Sequence, residues 1–281
     1  MKIAVSVEST HDLPKEYLTK YDIKVIPFEI ILGDETFKDG EKTTAEMFAY
    51  VDKYGILPKT NAINEYTYTE YFESLKKEYD AVVHICLSSG ITSTVNNAIN
   101  AAKNVSDVYI VDSKSLSAGI GLLAIYAREL ANAGVPAAEI AACVQKRAEK
   151  VQTSFVVERL DYLYKGGRAS GFQLLGANIL KIRPRLVLKD GKMFSDKKYR
   201  GDMGSVIAKY GADILSEYNT PDLARVFITY TSATEQMKAA AQKVCEQAGF
   251  KEIVHTFAGG TIASHCGANT LGILYFNDGD K

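Results

Sequence analysis

Strand-like and helix-like segments that alternate from the first residues, short β-rich apolar runs, and a length beyond one comfortable core mark this chain as an α/β protein of two domains. At 281 residues it lies near the ~250–300 residues at which single hydrophobic cores stop growing.

The alternation begins with KIAVSVE as a strand, PKEYLTKY as a helix and KVIPFEIIL as a strand. Helical patterns follow around AEMFAYVDKYG and YTEYFESLKKEY. AVVHICL and VYIVDS read as strands buried in a parallel sheet, and STVNNAINAAKNV between them has the length and composition of a crossover helix. Two more helices come next, GIGLLAIYARELANAG and PAAEIAACVQKRAEKV, with Gly134 placed to cap the first and Pro136 to open the second. Residues 1–153 are therefore expected to form an N-terminal domain of layered α/β/α type. The pattern restarts near residue 153 with TSFVVE, and RLDYLYKGGRASG has the charge, tyrosine and glycine of an exposed element joining two lobes. Residues 154–281 are expected to form a second, α+β domain. It contains a hairpin, RLVLKDGKMFSD, whose Asp190-Gly191 pair signals a tight turn between alternating segments. Helix, strand, helix, strand and a last strand, LGILYF, complete it, with no internal repeat or long linker.

Lys plus Arg number 33 against 34 Asp plus Glu, so no overall basic field exists to hold nucleic acid or an anionic membrane. The start, MKIAVSVEST, has no apolar stretch long enough for a signal peptide or a membrane span. The expectation is a cytoplasmic protein with at most transient membrane contact. Cys86, Cys143, Cys245 and Cys266 are scattered, without the spacing of a zinc site or the density of a disulfide scaffold, and read as reduced thiols. No phosphate-cradling glycine loop, HExxH arrangement or G-x-S-x-G elbow occurs. Neither a nucleotide cofactor nor a metal is expected, and no catalytic residue is nominated.

What stands out is hydroxyl and amide chemistry at the ends of strands. ICLSSGITSTVNNA carries Ser88, Ser89, Thr92 and Ser93 into a helix that should begin near Thr94. Unpaired N–H groups at a helix N-terminus, with flanking hydroxyls, suit a carboxylate or a phosphate. The same residues serve equally well as ordinary helix caps. In ILPKTNAIN, Thr60 and Asn61 stand in a polar break before a helix; in KGGRASG, Arg168 follows two glycines; in GGTIASHCGANTLG, a glycine-rich run holds His265 beside Cys266. Turn formation, a solvated arginine and a structural histidine are the plain local accounts of these three.

As an ordered set, however, SVESTHDLP, TNAIN, LSSGITSTVNNA, VDSKSLSAGIG, ERLDYLYKGGRAS, LKIRPRLVLKDGK and ASHCGANTLG resemble the DegV family over essentially the whole chain. LDYLYKGGR is the most specific of them. The resemblance implies a two-domain DegV-like α/β architecture with a ligand tunnel between the lobes, holding a long-chain fatty acid such as palmitate or oleate. It implies that hydroxyls of Thr60 and Thr92 hold the carboxylate, with His265 in support and Arg168 in the same polar network. It implies further that the bound acid is presented to a separate ATP-dependent fatty-acid kinase, whose acyl phosphate enters phospholipid synthesis. Three places depart from the family's pattern. Glu8 replaces a usual Asp, Thr92-Ser93-Thr94 replaces S-G-T, and His265-Cys266-Gly267-Ala268-Asn269 replaces H-x-G-P-G. Ser93 in place of glycine restricts the turn at the head group, so Thr92, Ser93 or both are candidates there. Two other readings stand beside the lipid carrier: an acyl hydrolase in which His265 activates Ser93 or Thr92, and a sensor of another small anion. The hydrolase needs an acid to orient His265, and no spacing nominates one.

Overall fold

The structure, a computed structural model, describes residues 1–168 and 182–279. Ala169, Ser170 and Gly171 of KGGRASG and Leu180 and Lys181 of the LKIRPR run lie outside the described residues.

The chain opens on β1 (Ile3–Glu8), buried at every position. A single 3₁₀ turn, Ser9–His11, and helix α1 (Lys15–Lys20) lead to β2 (Ile23–Ile26), which lies parallel to β1. KVIPFEIIL is not one strand. It divides at Pro27, because proline has no N–H for a ladder and a fixed φ; β2 ends the first sheet, and β3 (Glu29–Leu32) turns away to pair antiparallel with β4 (Glu35–Lys38). Helix α2 (Thr44–Tyr54) starts at a capping box made by Thr43 and Glu46. The segment read as a polar break before a helix holds a strand, β5 (Lys59–Asn61), antiparallel to β3 with Thr60 opposite Ile30. Then come α3 (Glu65–Lys76), β6 (Ala81–Cys86), α4 (Thr94–Ala102), β7 (Val108–Asp112), α5 (Ala118–Asn132) and α6 (Ala137–Ala148). The first sheet is parallel throughout, in the order β2-β1-β6-β7. One helical layer, α3 with α4, and another, α5 with α6, pack against it. No helix among the described residues is long and apolar enough to cross a membrane.

The second sheet begins with β8 (Val151–Gln152) and β9 (Ser154–Val156). After α7 (Asp161–Lys165), strands β10 (Ile182–Lys189) and β11 (Lys192–Arg200) form the hairpin, with φ +50° at Asp190 and +75° at Gly191. Two successive positive φ values are what a two-residue hairpin turn demands. The chain continues through α8 (Met203–Glu217), β12 (Arg225–Tyr230), α9 (Glu235–Ala248), β13 (Glu252–Phe257), α10 (Gly260–Cys266) and β14 (Leu271–Phe276). The sheet order is β11-β10-β9-β14-β12-β13, with β8 also on β14, and its pairings are antiparallel except between β12 and β13. The fold is thus mixed α/β, with one parallel sheet, one mainly antiparallel sheet and a small third sheet, β4-β3-β5.

Helix α10 decides where the site falls. It was not expected from GGTIASHC, yet it packs against α7 and against α2, β3 and β5. Late sequence is thereby wedged among early elements. One apolar cluster joins Val5, Val83 and Leu116 to Leu163, Leu186 and Cys266, so the core is continuous across the contact.

Candidate functional site

Glycines at the start of α10 are poor helix formers, and Gly259 at its N-cap offers no side chain. Carboxylates from distant sequence supply the missing acceptors. Gly260 and Thr261 N–H donate to the two oxygens of Asp39 at 2.8 and 3.0 Å, and Gly259 N–H donates to Asp12 Oδ1 at 2.7 Å. Ser9 Oγ donates to Asp39 at 2.9 Å, and Ser117 Oγ donates to Asp12 at 2.5 Å. Negative charge at a helix N-terminus is also favoured by the peptide dipoles. Asp12, fully buried, has its carboxyl pushed up to about 7, chiefly by burial.

So anchored, α10 brings His265 to Thr60 on β5, with Nε2 2.8 Å from Oγ1. The end of α7 closes on the other side of the ring: a Cβ at Gly166 would stand 2.5 Å from His265 Nδ1, so only glycine fits there. Gly167 follows with φ +72°. Arg168 N–H then donates to Leu163 O at 2.9 Å, and its Nη1 donates to Gly166 O at 2.8 Å.

The hydroxyl-rich loop after β6 is fixed from behind. Leu87 N–H donates to Glu8 Oε2 at 2.6 Å, Tyr68 hydroxyl donates to Glu8 Oε1, and Ser88 Oγ donates to Gly191 O of the hairpin turn at 2.7 Å. Thr92 Oγ1 accepts from Thr94 N–H at 3.4 Å. Ser93 occupies the N-cap of α4 with φ −89°, an ordinary value, makes no cap hydrogen bond and is exposed. Serine for glycine therefore carries no backbone strain at this turn.

Thr60, Thr92, Arg168 and His265 line one cleft of about 510 Å³, part of it open to solvent; Ser93 lies off its lining. The remaining wall is largely apolar, with Phe28, Leu87, Ile91, Leu116, Leu163, Met193 and Ile262, and it includes Thr261, which the sequence reading missed. Burial, and secondarily the neighbouring Arg168, lowers His265 to about 4, so the imidazole is neutral at ordinary pH. Arg168 is then the single charged side chain among the described residues of the lining. With its proton on Nε2, neutral His265 donates to Thr60 Oγ1 and frees the threonine proton for an anion.

Among the described residues one group brings metal-capable donors together: Glu8, His84 and Cys86, within 4.8 Å of one another. His84 Nδ1 bonds Ser6 Oγ at 2.9 Å, and both Glu8 oxygens accept the bonds named above. Burial raises Glu8 to about 7, lowers His84 to about 3 and pushes the Cys86 thiol up. All three are driven toward their uncharged forms, a hydrogen-bonded layer behind the loop.

Fold and cleft together define a mixed α/β protein with an apolar slot headed by hydroxyls, an imidazole and a guanidinium. The chain belongs to the DegV family, whose model, described as an uncharacterised protein family, matches residues 2–278. A fatty acid-binding protein of Thermotoga maritima is 34% identical over 215 residues, 74% of this chain and 75% of that one. A solved fatty-acid-binding DegV-family protein of Thermus thermophilus is 25% identical, covers 98% of this chain and 99% of its own, and superposes with a TM-score of 0.90. DegV of Bacillus subtilis, solved as a fatty acid binding protein, is 26% identical over 98% of this chain and 99% of its own, with a TM-score of 0.86.

Proposed function

We propose that this protein holds one long-chain fatty acid, of the palmitate or oleate kind, between lobes of residues 1–153 and 154–281. It acts as a cytoplasmic carrier without cofactor, presenting the carboxylate to a separate fatty-acid kinase for acyl phosphate formation. The observation that carries the reading is the convergence of Thr60, Thr92, Arg168 and His265 on one otherwise largely apolar cleft. Fatty acid binding by the relatives from Thermotoga, Thermus and Bacillus supports it.

The energetics agree. About fifteen apolar carbons at ~0.8 kcal/mol each contribute roughly 12 kcal/mol gross, and association costs at least ~4 kcal/mol. The tail supplies affinity but no direction. Direction comes from the head group, which must be hydrogen-bonded to stay ionised in apolar surroundings. Thr60 and Thr92 hydroxyls donate to it, Arg168 supplies charge, and His265 orients Thr60. Ser93, exposed and next in sequence to Thr92, is assigned a flanking role.

An acyl hydrolase would need an acid on the far nitrogen of His265. That nitrogen faces Gly166 and has no hydrogen-bond partner among the described residues.

Trapping acyl phosphate with hydroxylamine tests the presentation step. Protein loaded with palmitate and mixed with ATP and magnesium should give no hydroxamate, and addition of a cognate fatty-acid kinase should give it. Arg168→Ala should lower the kinase-dependent rate at least ~10-fold, through loss of a charge-assisted contact. Product without kinase would overturn the carrier reading, and a parent-like rate for the variant would remove Arg168 from the site.

A further inference from the structure

Two buried polar atoms on the cleft's lining have no hydrogen-bond partner among the described residues, and both belong to α10: His265 Nδ1 and Thr261 Oγ1. Gly166 accounts for the first by its close approach. The second has no structural explanation. Thr261 is 3% exposed. Its backbone N–H is already satisfied by Asp39, and the two residues before it donate to Asp39 and Asp12, so its hydroxyl is not needed as a cap. A valine would fill the same space without burying an unpaired hydroxyl, which is destabilising. Position supplies the explanation. Thr261 stands four residues before His265 on the same helix, a spacing that puts two side chains on one face about 5–6 Å apart. A carboxylate has two oxygens and about four lone-pair sites. With Thr60 bonded to His265 and Thr261 on the same lining, one oxygen can turn toward Thr60 and the other toward Thr261.

We propose that Thr261 is a further head-group ligand, whose hydroxyl donates to the carboxylate of the bound long-chain acid. This rests on the carrier reading above. It has a signature that a purely structural threonine lacks. The empty protein bears the unpaired hydroxyl, and the acid relieves it, so the residue weakens the free state while strengthening the complex.

Delipidated parent, Thr261→Val and Thr261→Ser are compared by calorimetry and thermal melting, with palmitate and with methyl palmitate, which has the same tail and no anion. The valine variant should melt above the parent when empty, bind palmitate roughly tenfold more weakly and bind methyl palmitate like the parent. The serine variant should retain palmitate affinity. A valine variant that binds palmitate as tightly as the parent overturns the assignment of Thr261 and leaves the carrier reading intact. Equal weakening toward both ligands would show a packing defect and overturn it as well. A parent that binds no palmitate overturns both.

Discussion

Asp39→Ala is expected to lower folding stability by about 3 kcal/mol, the loss of two helix N–H bonds to a charged acceptor partly offset by water, and to weaken palmitate binding more than tenfold. Asp39 accepts from Gly260 N–H, Thr261 N–H and Ser9 Oγ. Its removal leaves the first turn of α10 without its main acceptor. The same helix carries His265 and Thr261 into the cleft, so fraying at its start displaces both. Asp39→Asn keeps one oxygen as acceptor and should fall between parent and alanine. Chemical denaturation measures the first effect and calorimetry with palmitate the second. Intact affinity in a destabilised Asp39→Ala would separate α10 anchoring from ligand binding and defeat this account of the site's assembly.

A steric substitution should act from the opposite side of His265. In Gly166→Ala the new Cβ would lie 2.5 Å from His265 Nδ1 and 2.9 Å from Tyr162 O, both too close for any real contact. Gly166 has φ −76°, so alanine is not strained by its own backbone. The closest clash, with the imidazole, displaces the ring from Thr60, and the second, with Tyr162 O, strains the end of α7. Overpacking of this kind costs about 1–3 kcal/mol, and losing the oriented hydroxyl should weaken palmitate binding at least ~10-fold. Gly167→Ala provides the contrast. Its φ is +72° and nothing lies within 4 Å of the added Cβ, so it should cost about 1–2 kcal/mol in strain while leaving His265 in place. Thermal melts and palmitate titrations of the two variants should therefore diverge: both less stable, only Gly166→Ala impaired in binding. Parent-like palmitate affinity in Gly166→Ala would show that the His265 to Thr60 contact does not serve the ligand.

Legibility in the sequence followed the range of the signal. The Asp190-Gly191 turn, the start of α4 at Thr94, and Gly134 and Pro136 between α5 and α6 are local choices, and the residues themselves announce them. Strand β5 is three residues of polar KTN, too short and too polar for periodicity, and it exists because β3 offers it an edge. Pro27 carried a readable warning that the apolar run around it concealed. Helix α10 lay beyond reach, since two glycines open it and its caps, Asp39 and Asp12, come from the other half of the chain. Without that helix, the spacing of Thr261 and His265 carried no meaning. Thr60, Thr92, Arg168 and His265 read locally as turn and cap residues. Their ordered resemblance to a family singled them out, and only tertiary packing puts them on one cleft.

The central claim is that this cleft holds a long-chain acid, and native mass spectrometry of protein freshly purified from a bacterial host, followed by solvent extraction and chromatography, tests it most directly. The account predicts a retained ligand, released as long-chain fatty acid at near one molecule per chain. Protein that emerges empty and cannot afterwards be loaded with palmitate or oleate would contradict it.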